Sequence, residues 1–286
     1  MNFSIMVFGP YIDYLDTVCL RSLFQSGNLP RLIKEGQHIQ ISIYTKADDE
    51  NKLASVIDRW KRDGVDFKIL VCDSPNIHER LFKDCVDSNA PMMLICPDFF
   101  FANGSIYNMA SIKYKGKMCI AAAHLRVDGQ GFQRLLLETE GEISASKLVS
   151  MSMKTPHQCL TEAFINKDCN GSRHGGLAIQ QIGEDALWSV THQLPSAVLV
   201  NMQPDDLLVL KDFGHYDHIW PTKLINEKRY KYAGSSDFFF AVELTYPENN
   251  RIKVLPGNLW NDECDQKGKH NIVNRNFLAV LRGENE

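Results

Sequence analysis

Residues 3–10 read Phe3-Ser4-Ile5-Met6-Val7-Phe8-Gly9-Pro10, a short apolar run that a glycine and a proline end. Such a run is typical of a buried strand, and residues 11–25 then carry apolar side chains at helical spacing. The alternation continues, which predicts further strands at 38–45, 67–71, 92–96 and 118–123 and helices at 48–60, 77–86 and 105–114. This order predicts βαβ crossovers and a mostly parallel sheet flanked by helices.

The second half of the chain is less regular. It predicts one helix at 132–155, a loop rich in turn residues at 167–176, and short strands at 187–190, 197–200 and 238–244. No linker rich in Pro, Gly or Ser divides the halves, so we expect 1–286 to form one domain. The predicted fold class is therefore α/β, with a Rossmann-like N-terminal half (1–127) and a mixed α+β C-terminal half (128–286).

Composition excludes several classes of protein. With 44% hydrophobic residues the chain is not disordered throughout, and no apolar stretch approaches the ~20 residues that span a bilayer. The net charge is −4, so nucleic acid is not an expected partner. The N-terminus lacks the basic leader of a signal peptide, and we expect a cytoplasmic protein. The eight cysteines include no Cys-x-x-Cys pair, which argues against structural zinc and favours free thiols.

Three familiar catalytic motifs are missing. No Gly-x-x-x-x-Gly-Lys-Ser/Thr loop occurs, which argues against a P-loop enzyme. The sequence Gly129-Gln130-Gly131 lacks the third glycine of the dinucleotide-binding fingerprint and follows the fifth predicted strand instead of the first. No Gly-x-Ser-x-Gly elbow is present, so an α/β-hydrolase is not expected.

Candidate ligand-binding residues follow the predicted strands, because an open parallel sheet binds ligands at the carboxyl ends of its strands. The first strand leads into Gly9, Pro10 and Tyr11, and the second ends in Tyr44-Thr45. The fourth leads into Pro97-Asp98, and a Gly-Ser turn opens the helix that follows. A carboxylate in this position suits metal or diphosphate binding, although Asp98 could equally cap a turn.

The C-terminal half supplies a second group of candidates. The segment His215-Tyr216-Asp217-His218 contains two imidazoles and a carboxylate, which suit a metal-ligand pair or a general base and equally a solvated loop. Asp237 stands at the start of a predicted strand, as either a catalytic carboxylate or a turn residue. His124 leaves the fifth predicted strand near the expected cleft, where a core histidine is the simpler interpretation.

The chain resembles GT-A-type glycosyltransferases, and in particular a bacterial family of glycosyltransferase-like proteins. The resemblance rests on an ordered set of short motifs: Leu20-x-Ser22-Leu23, Gly27-Asn28-Leu29-Pro30, Ile43-Tyr44-Thr45, Pro97-Asp98, Gly104-Ser105, Leu187-Trp188, His192, Pro195 and Ser235-Ser236-Asp237. It implies a GT-A-like fold and a glycosyltransferase. Such an enzyme moves a sugar from a nucleotide-sugar donor, such as a UDP-sugar, to a hydroxyl of a glycan or another acceptor.

The resemblance also implies roles for individual residues. The nucleotide would lie near Gly9, Pro10, Tyr11, Tyr44 and Thr45, and Asp98 would face the diphosphate, with Mn²⁺ or Mg²⁺ as the candidate cofactor. Because the first half offers no evident proton acceptor, we expect the acceptor-side base among Asp217, His218 and Asp237.

The sequence departs from the family in one respect. The usual motif has two carboxylates separated by one residue, whereas Asp98 is followed by Phe99 and Phe100. Asp98 is thus the metal-ligand candidate of this motif, and Lys46 or Arg126 could stabilise the leaving diphosphate instead. Two other functions stay open: a nucleotidyltransferase on a related sheet, and a catalytically inactive module that binds a nucleotide-sugar or a glycan.

Overall fold

The structure, a computed structural model, describes residues 1–72, 77–112, 119–121, 124–157, 164–165, 172–173, 177–182, 186–191, 197–210, 230–232, 235–245, 255–256 and 269–273. Within these ranges, no helix is long and apolar enough to cross a membrane. Among the described cysteines, Cys19 and Cys85 are buried thiols.

The five strands predicted in the first half are present, but the strands Phe99–Phe101 and Leu125–Asp128 were not predicted, and the second half has more strands than expected. The described strands are β1 (Asn2–Met6), β2 (Ile39–Thr45), β3 (Val65–Val71), β4 (Met92–Ile95), β5 (Phe99–Phe101), β6 (Cys119–Ala121), β7 (Leu125–Asp128), β8 (Phe164–Ile165), β9 (Ser172–Arg173), β10 (Leu177–Ile182), β11 (Ala186–Thr191), β12 (Ala197–Val200), β13 (Tyr230–Tyr232), β14 (Ala241–Thr245), β15 (Leu255–Pro256) and β16 (Lys269–Val273).

The first helix, α1, is continuous and combines an α-helical turn (Tyr11–Tyr14), a π-helical stretch (Leu15–Leu20) and a final α-helical turn (Arg21–Leu23). A 3₁₀ turn (Ala47–Asp49) follows β2. The other described helices are α2 (Leu29–Lys34), α3 (Glu50–Trp60), α4 (Ile77–Asp87), α5 (Ser105–Ala110), α6 (Gly129–Glu138), α7 (Ala145–Lys154) and α8 (Pro204–Leu210).

The central sheet has seven strands in the order β13-β6-β12-β4-β1-β2-β3. Strands β4, β1, β2 and β3 pair in parallel, and so do β13 and β6. Strand β12 comes from the second half of the chain and lies antiparallel between β4 and β6. The predicted α/β class with a mostly parallel sheet is confirmed. The division into one domain with two functional halves stays a prediction.

Both faces of the sheet are buried at β1, β2 and β4, as is typical of apolar parallel strands. Phe3 and Ile5 of β1 lie in an apolar cluster with residues of α1, α2 and α3. Tyr44 and Leu94 point to the opposite face and pack against α4 and α8. Helix α3 contributes the apolar side chains of one helical face to this first cluster, namely Leu53, Val56 and Ile57.

A three-stranded sheet, β5-β14-β7, forms a second layer. Phe99 and Phe101 of β5 join the apolar cluster that covers β1, whereas Phe100 packs with residues of α6 and α7. The central strand β14 is antiparallel to β5 and parallel to β7. This pairing brings the start of β5, directly after the turn that follows β4, against the C-terminal half of β14.

Two local predictions are wrong in detail. The helix expected at 132–155 is two helices, because Gly141 adopts a φ of +72° and the Ser144 hydroxyl caps α7 by accepting the N–H of Lys147. The strand expected at 238–244 begins only at Ala241.

Candidate active site at the carboxyl edge of the strands

The loops after β1 and β2 meet at the carboxyl edge of the central sheet. The Gly9 N–H donates to the Asp49 carboxylate at 2.8 Å, which ties the two loops together. Gly9 has a φ of +57°, a conformation that favours glycine. Pro10 is exposed directly before α1, and Tyr11, the first residue of α1, is partly exposed. The structure therefore places Gly9, Pro10 and Tyr11 where a ligand could reach them.

The two candidates at the end of β2 are both buried and point to opposite faces of the sheet. The Tyr44 hydroxyl donates to the Asp84 carboxylate of α4 at 3.1 Å. Burial, followed by the charge of Asp84, raises the pKa of Tyr44. The Thr45 hydroxyl has no hydrogen-bond partner among the residues that the structure describes. Tyr44 thus anchors α4, and the side chains of Tyr44 and Thr45 do not converge on one ligand position.

Asp98 lies in the turn between β4 and β5 and is partly buried. Its backbone carbonyl accepts the N–H of Leu244 at 2.9 Å, which fixes the turn against β14. Burial of the carboxyl and the nearby negative charge of Glu243 raise the pKa of Asp98 to about 8, although Arg126 opposes the shift. At pH 7 Asp98 therefore favours its protonated form.

Glu243 is the second acidic residue of the site. In the register of the three-stranded sheet it lies opposite both Phe99 and Arg126. Its Oε2 accepts hydrogen bonds from His124 Nε2 at 2.6 Å and from Arg126 Nε at 2.9 Å. Burial raises the pKa of Glu243, but the charge of Arg126 and these hydrogen bonds outweigh it and hold the pKa at about 2. Glu243 is therefore ionised at neutral pH, and His124 Nε2 carries a proton.

We call Asp98, His124, Arg126 and Glu243 the charged cluster. The side chains of His124, Arg126 and Glu243 are only 3%, 16% and 13% exposed. The His124 ring also packs edge-on against Phe99, with centroids 4.7 Å apart. Ionisable groups that share a buried position beside a strand end, with pKa values pushed in opposite directions, are typical of functional sites.

Sequence reasoning named Asp98 and Arg126 as candidates, did not consider Glu243, and treated His124 as a core residue. One signal for Glu243 is present in the sequence, since it interrupts the otherwise apolar run Ala241-Val242-Glu243-Leu244. Thr245 was also missed: its hydroxyl is buried, lies on the same face of β14 as Glu243, and has no hydrogen-bond partner among the described residues.

Asp237 is the candidate of the C-terminal half that the structure describes, and it does not lie at the charged cluster. Asp237 is exposed, and its N–H donates to the Ser235 hydroxyl at 3.2 Å. It lies beyond the N-terminal end of β14, near α5, where Asn108 donates to the Phe238 carbonyl. Asp98 contacts the other end of the same strand. Asp217 and His218 fall outside the described residues.

The described residues around Asp98 offer few ligands to a divalent cation. Glu243 already accepts hydrogen bonds from Arg126 and His124, so Asp98 is the carboxyl of the cluster that remains for a cation. Over the part of the chain that the structure describes, no group of three His, Cys, Asp or Glu side chains could hold a metal. Arg126 supplies positive charge at this position. The predicted use of Mn²⁺ or Mg²⁺ stays a prediction.

The raised pKa of Asp98 predicts how stability depends on pH. Between its unfolded value of 3.8 and its folded value of about 8, the folded state holds the proton more tightly, so this carboxyl makes the protein less stable as pH rises through that range. We expect Asp98→Asn to be more stable than wild type at pH 9 by more than about 1 kcal/mol. At pH 4 the two should be nearly equal. Urea unfolding of both proteins across this range measures the difference, and a constant difference would contradict the assignment.

Comparison with known proteins gives similarity to solved structures alone. No protein-family model and no curated protein matches the chain. The glycosyltransferase GlyE of Streptococcus pneumoniae TIGR4 is similar over 81% of this chain and 44% of its own, with 7% identity and a TM-score of 0.42. A Bacillus anthracis protein assigned as a glucose-1-phosphate thymidylyltransferase, in complex with sucrose, is similar over 81% of this chain and 86% of its own (10% identity, TM-score 0.39). The inositol-1-phosphate CTP transferase from T. maritima is similar over 92% of both chains (9% identity, TM-score 0.40). The chain spans less than half the length of GlyE.

Proposed function

We propose that the protein is a glycosyltransferase that transfers a sugar from a nucleotide-sugar donor to an acceptor hydroxyl. The observation that carries the proposal is the charged cluster, which lies directly after β4 at the carboxyl edge of a parallel sheet. That edge is where open α/β sheets bind their ligands. The cluster combines a carboxyl group and a fixed cation within one partly enclosed position.

Sugar transfer breaks the bond between the anomeric carbon and a diphosphate oxygen and forms a bond to the acceptor oxygen. The leaving diphosphate gains negative charge, which nearby donors and cations stabilise. Protonated Asp98 can donate a hydrogen bond to that oxygen without repelling it, whereas an ionised carboxylate would repel it. Arg126 adds positive charge, and Glu243 with His124 fixes its orientation. This part of the site is therefore suited to the donor.

The acceptor hydroxyl must lose its proton to a base. Asp217, His218 and Asp237 stay our predicted candidates for this step, and the position of Asp237 beyond the far end of β14 makes it the weakest of the three. Donor binding and proton removal are separate steps, so loss of the base should lower kcat and leave the affinity for the nucleotide unchanged.

Lys46 is the cation we assign to the nucleotide's phosphates on the β2 side of the edge. It is exposed, and its ammonium group lies 5.0 Å from the centroid of the Phe8 ring, beside the loop of Gly9 and Pro10. We expect Lys46→Gln to weaken UDP binding about tenfold, the loss of one charge-assisted contact. Lys61→Gln is the matched control, since Lys61 is also exposed and pairs with Asp58 on α3. Calorimetric titration with UDP measures both, and equal affinities would place the phosphates elsewhere.

One experiment separates the candidate functions. The protein is incubated with a panel of nucleotide sugars, with Mn²⁺ or with EDTA, and release of nucleoside diphosphate is followed. Slow hydrolysis of one donor supports a glycosyltransferase. Binding of a donor without any release, with or without acceptors, would indicate an inactive binding module. Pyrophosphate release from a nucleoside triphosphate and a sugar phosphate would instead indicate a nucleotidyltransferase.

A further inference from the structure

A separate cavity of about 380 Å³ opens at the other end of the layer formed by α1 and α3. Both helices begin after strands that end at the carboxyl edge, and the cavity lies at their C-terminal ends. Phe24 follows α1, and Trp60 is the last residue of α3. The cavity size is within the range of small-molecule sites. Its lining also includes Arg21, Gln25, Arg62 and Glu142.

The polar side chains of the walls are held in place by hydrogen bonds. The Trp60 indole N–H donates to Asp16 at 2.7 Å. The Gln25 amide donates to the Phe101 carbonyl and accepts the Ile143 N–H. Both carboxylate oxygens of Glu142 accept hydrogen bonds, from the Ser26 N–H and from Asn103. These walls are therefore preorganised, which lowers the entropic cost of binding a ligand.

The Arg62 side chain differs from these polar side chains, because aromatic rings hold it in place. Its guanidinium carbon lies 4.8 Å from the centroid of the Phe24 ring and 5.6 Å from that of Trp60, and these two rings stack on each other at 5.3 Å. Among the described residues no carboxylate pairs with the Arg62 side chain. Arg21 lines the same cavity and donates from one nitrogen to the carbonyls of Leu136 and Thr139. With two arginines and one glutamate, the lining has a net positive charge.

We propose that this cavity binds a small organic anion built on a flat ring. The anionic group would pair with Arg62 and Arg21, because guanidinium groups form strong charge-assisted hydrogen bonds with phosphate and carboxylate oxygens. The ring would stack on the plane of Arg62 and contact the apolar walls, since a guanidinium group stacks on aromatic faces. This site is independent of the proposed sugar transfer.

Phenyl phosphate is the probe that combines both features. We expect it to shift the NMR signal of the Trp60 indole N–H, which is identified by its absence in Trp60→Phe, and to bind at least about tenfold more weakly to Arg62→Gln. Arg31→Gln is the matched control: the Arg31 guanidinium lies 3.7 Å from the Tyr107 ring centroid, outside the cavity lining. Its affinity should equal that of wild type.

Two further probes test the two halves of the proposal. Inorganic phosphate lacks the ring and benzyl alcohol lacks the charge, so each should bind at least about tenfold more weakly than phenyl phosphate. The proposal is overturned if either binds as tightly as phenyl phosphate, if Arg62→Gln binds it as tightly as wild type, or if the Trp60 signal does not move at about 10 mM. Donor hydrolysis plays no part in these outcomes.

Discussion

Replacing Asp98 by alanine is expected to lower the rate of donor hydrolysis or sugar transfer by about 10²–10³-fold, the usual cost of removing one donor that stabilises a developing negative charge. The protonated carboxyl contacts the leaving oxygen in our proposal, and alanine has no group that can replace it. The loss should appear in kcat, because charge on the diphosphate develops during bond breaking. Steady-state kinetics of the purified variant measures it.

Asp98→Asn is the matched variant that separates two roles of this side chain. Its amide keeps an N–H donor at nearly the same position, so we expect it to retain more activity than Asp98→Ala, within about tenfold of wild type. If both variants lose activity equally, Asp98 acts instead by accepting a proton or by binding a metal. Wild-type turnover in Asp98→Ala would show that the residue only caps a turn.

The strands and helices of the first half could be predicted because their signals are local. Each strand is a short apolar run, and α3 shows its apolar face within eleven residues, Glu50–Trp60. The break between α6 and α7 also had local signals, in Gly141 and Ser144, but the apolar residues on either side continued a helical spacing. Local pattern alone could not decide between one helix and two.

The antiparallel insertion of β12 had no local signal. Ala197–Val200 is an apolar run like the parallel strands, and its direction and neighbours depend on residues about one hundred positions earlier, in β4. Pairing between segments so far apart in the sequence is decided by which strand edges stay unpaired once the rest of the sheet has formed. The sequence therefore predicts the existence of the strand and not its place.

The candidate site was predictable only where its residues follow a strand. Asp98 could be identified because the strand-end rule applies to a single stretch of chain. Glu243 could not, since its importance comes from lying opposite Phe99 and Arg126 in a sheet of three distant segments. A polar residue in a strand usually faces solvent. Glu243 is buried instead, and Arg126, the partner that compensates for its burial, lies 117 residues away in the sequence.

This long-range pair predicts the largest effect on stability. Glu243→Gln leaves the Arg126 guanidinium in a mostly buried position without its counter-charge, so we expect a loss of about 3–5 kcal/mol in the free energy of unfolding. Arg126→Met should cost a similar amount, because it removes the cation that balances the mostly buried Glu243 carboxylate. Urea unfolding at pH 7 measures both losses.

The double variant, Arg126→Met with Glu243→Gln, removes both charges together. We expect it to lose less than the sum of the single variants by about 1–3 kcal/mol, the coupling of two groups in direct contact. Lys52 and Asp13 form the matched control pair. The Lys52 ammonium lies 2.8 Å from the Asp13 carboxylate, and the two side chains are 50% and 67% exposed. Exposed ion pairs of this kind contribute about 0.2–1 kcal/mol to stability. Additive losses for Arg126 and Glu243 would mean that the ion pair does not form, and Arg126 would then lose its fixed orientation toward the donor. The same cycle measured on donor hydrolysis tests that consequence directly, because a pair that positions Arg126 should couple in kcat as well as in stability.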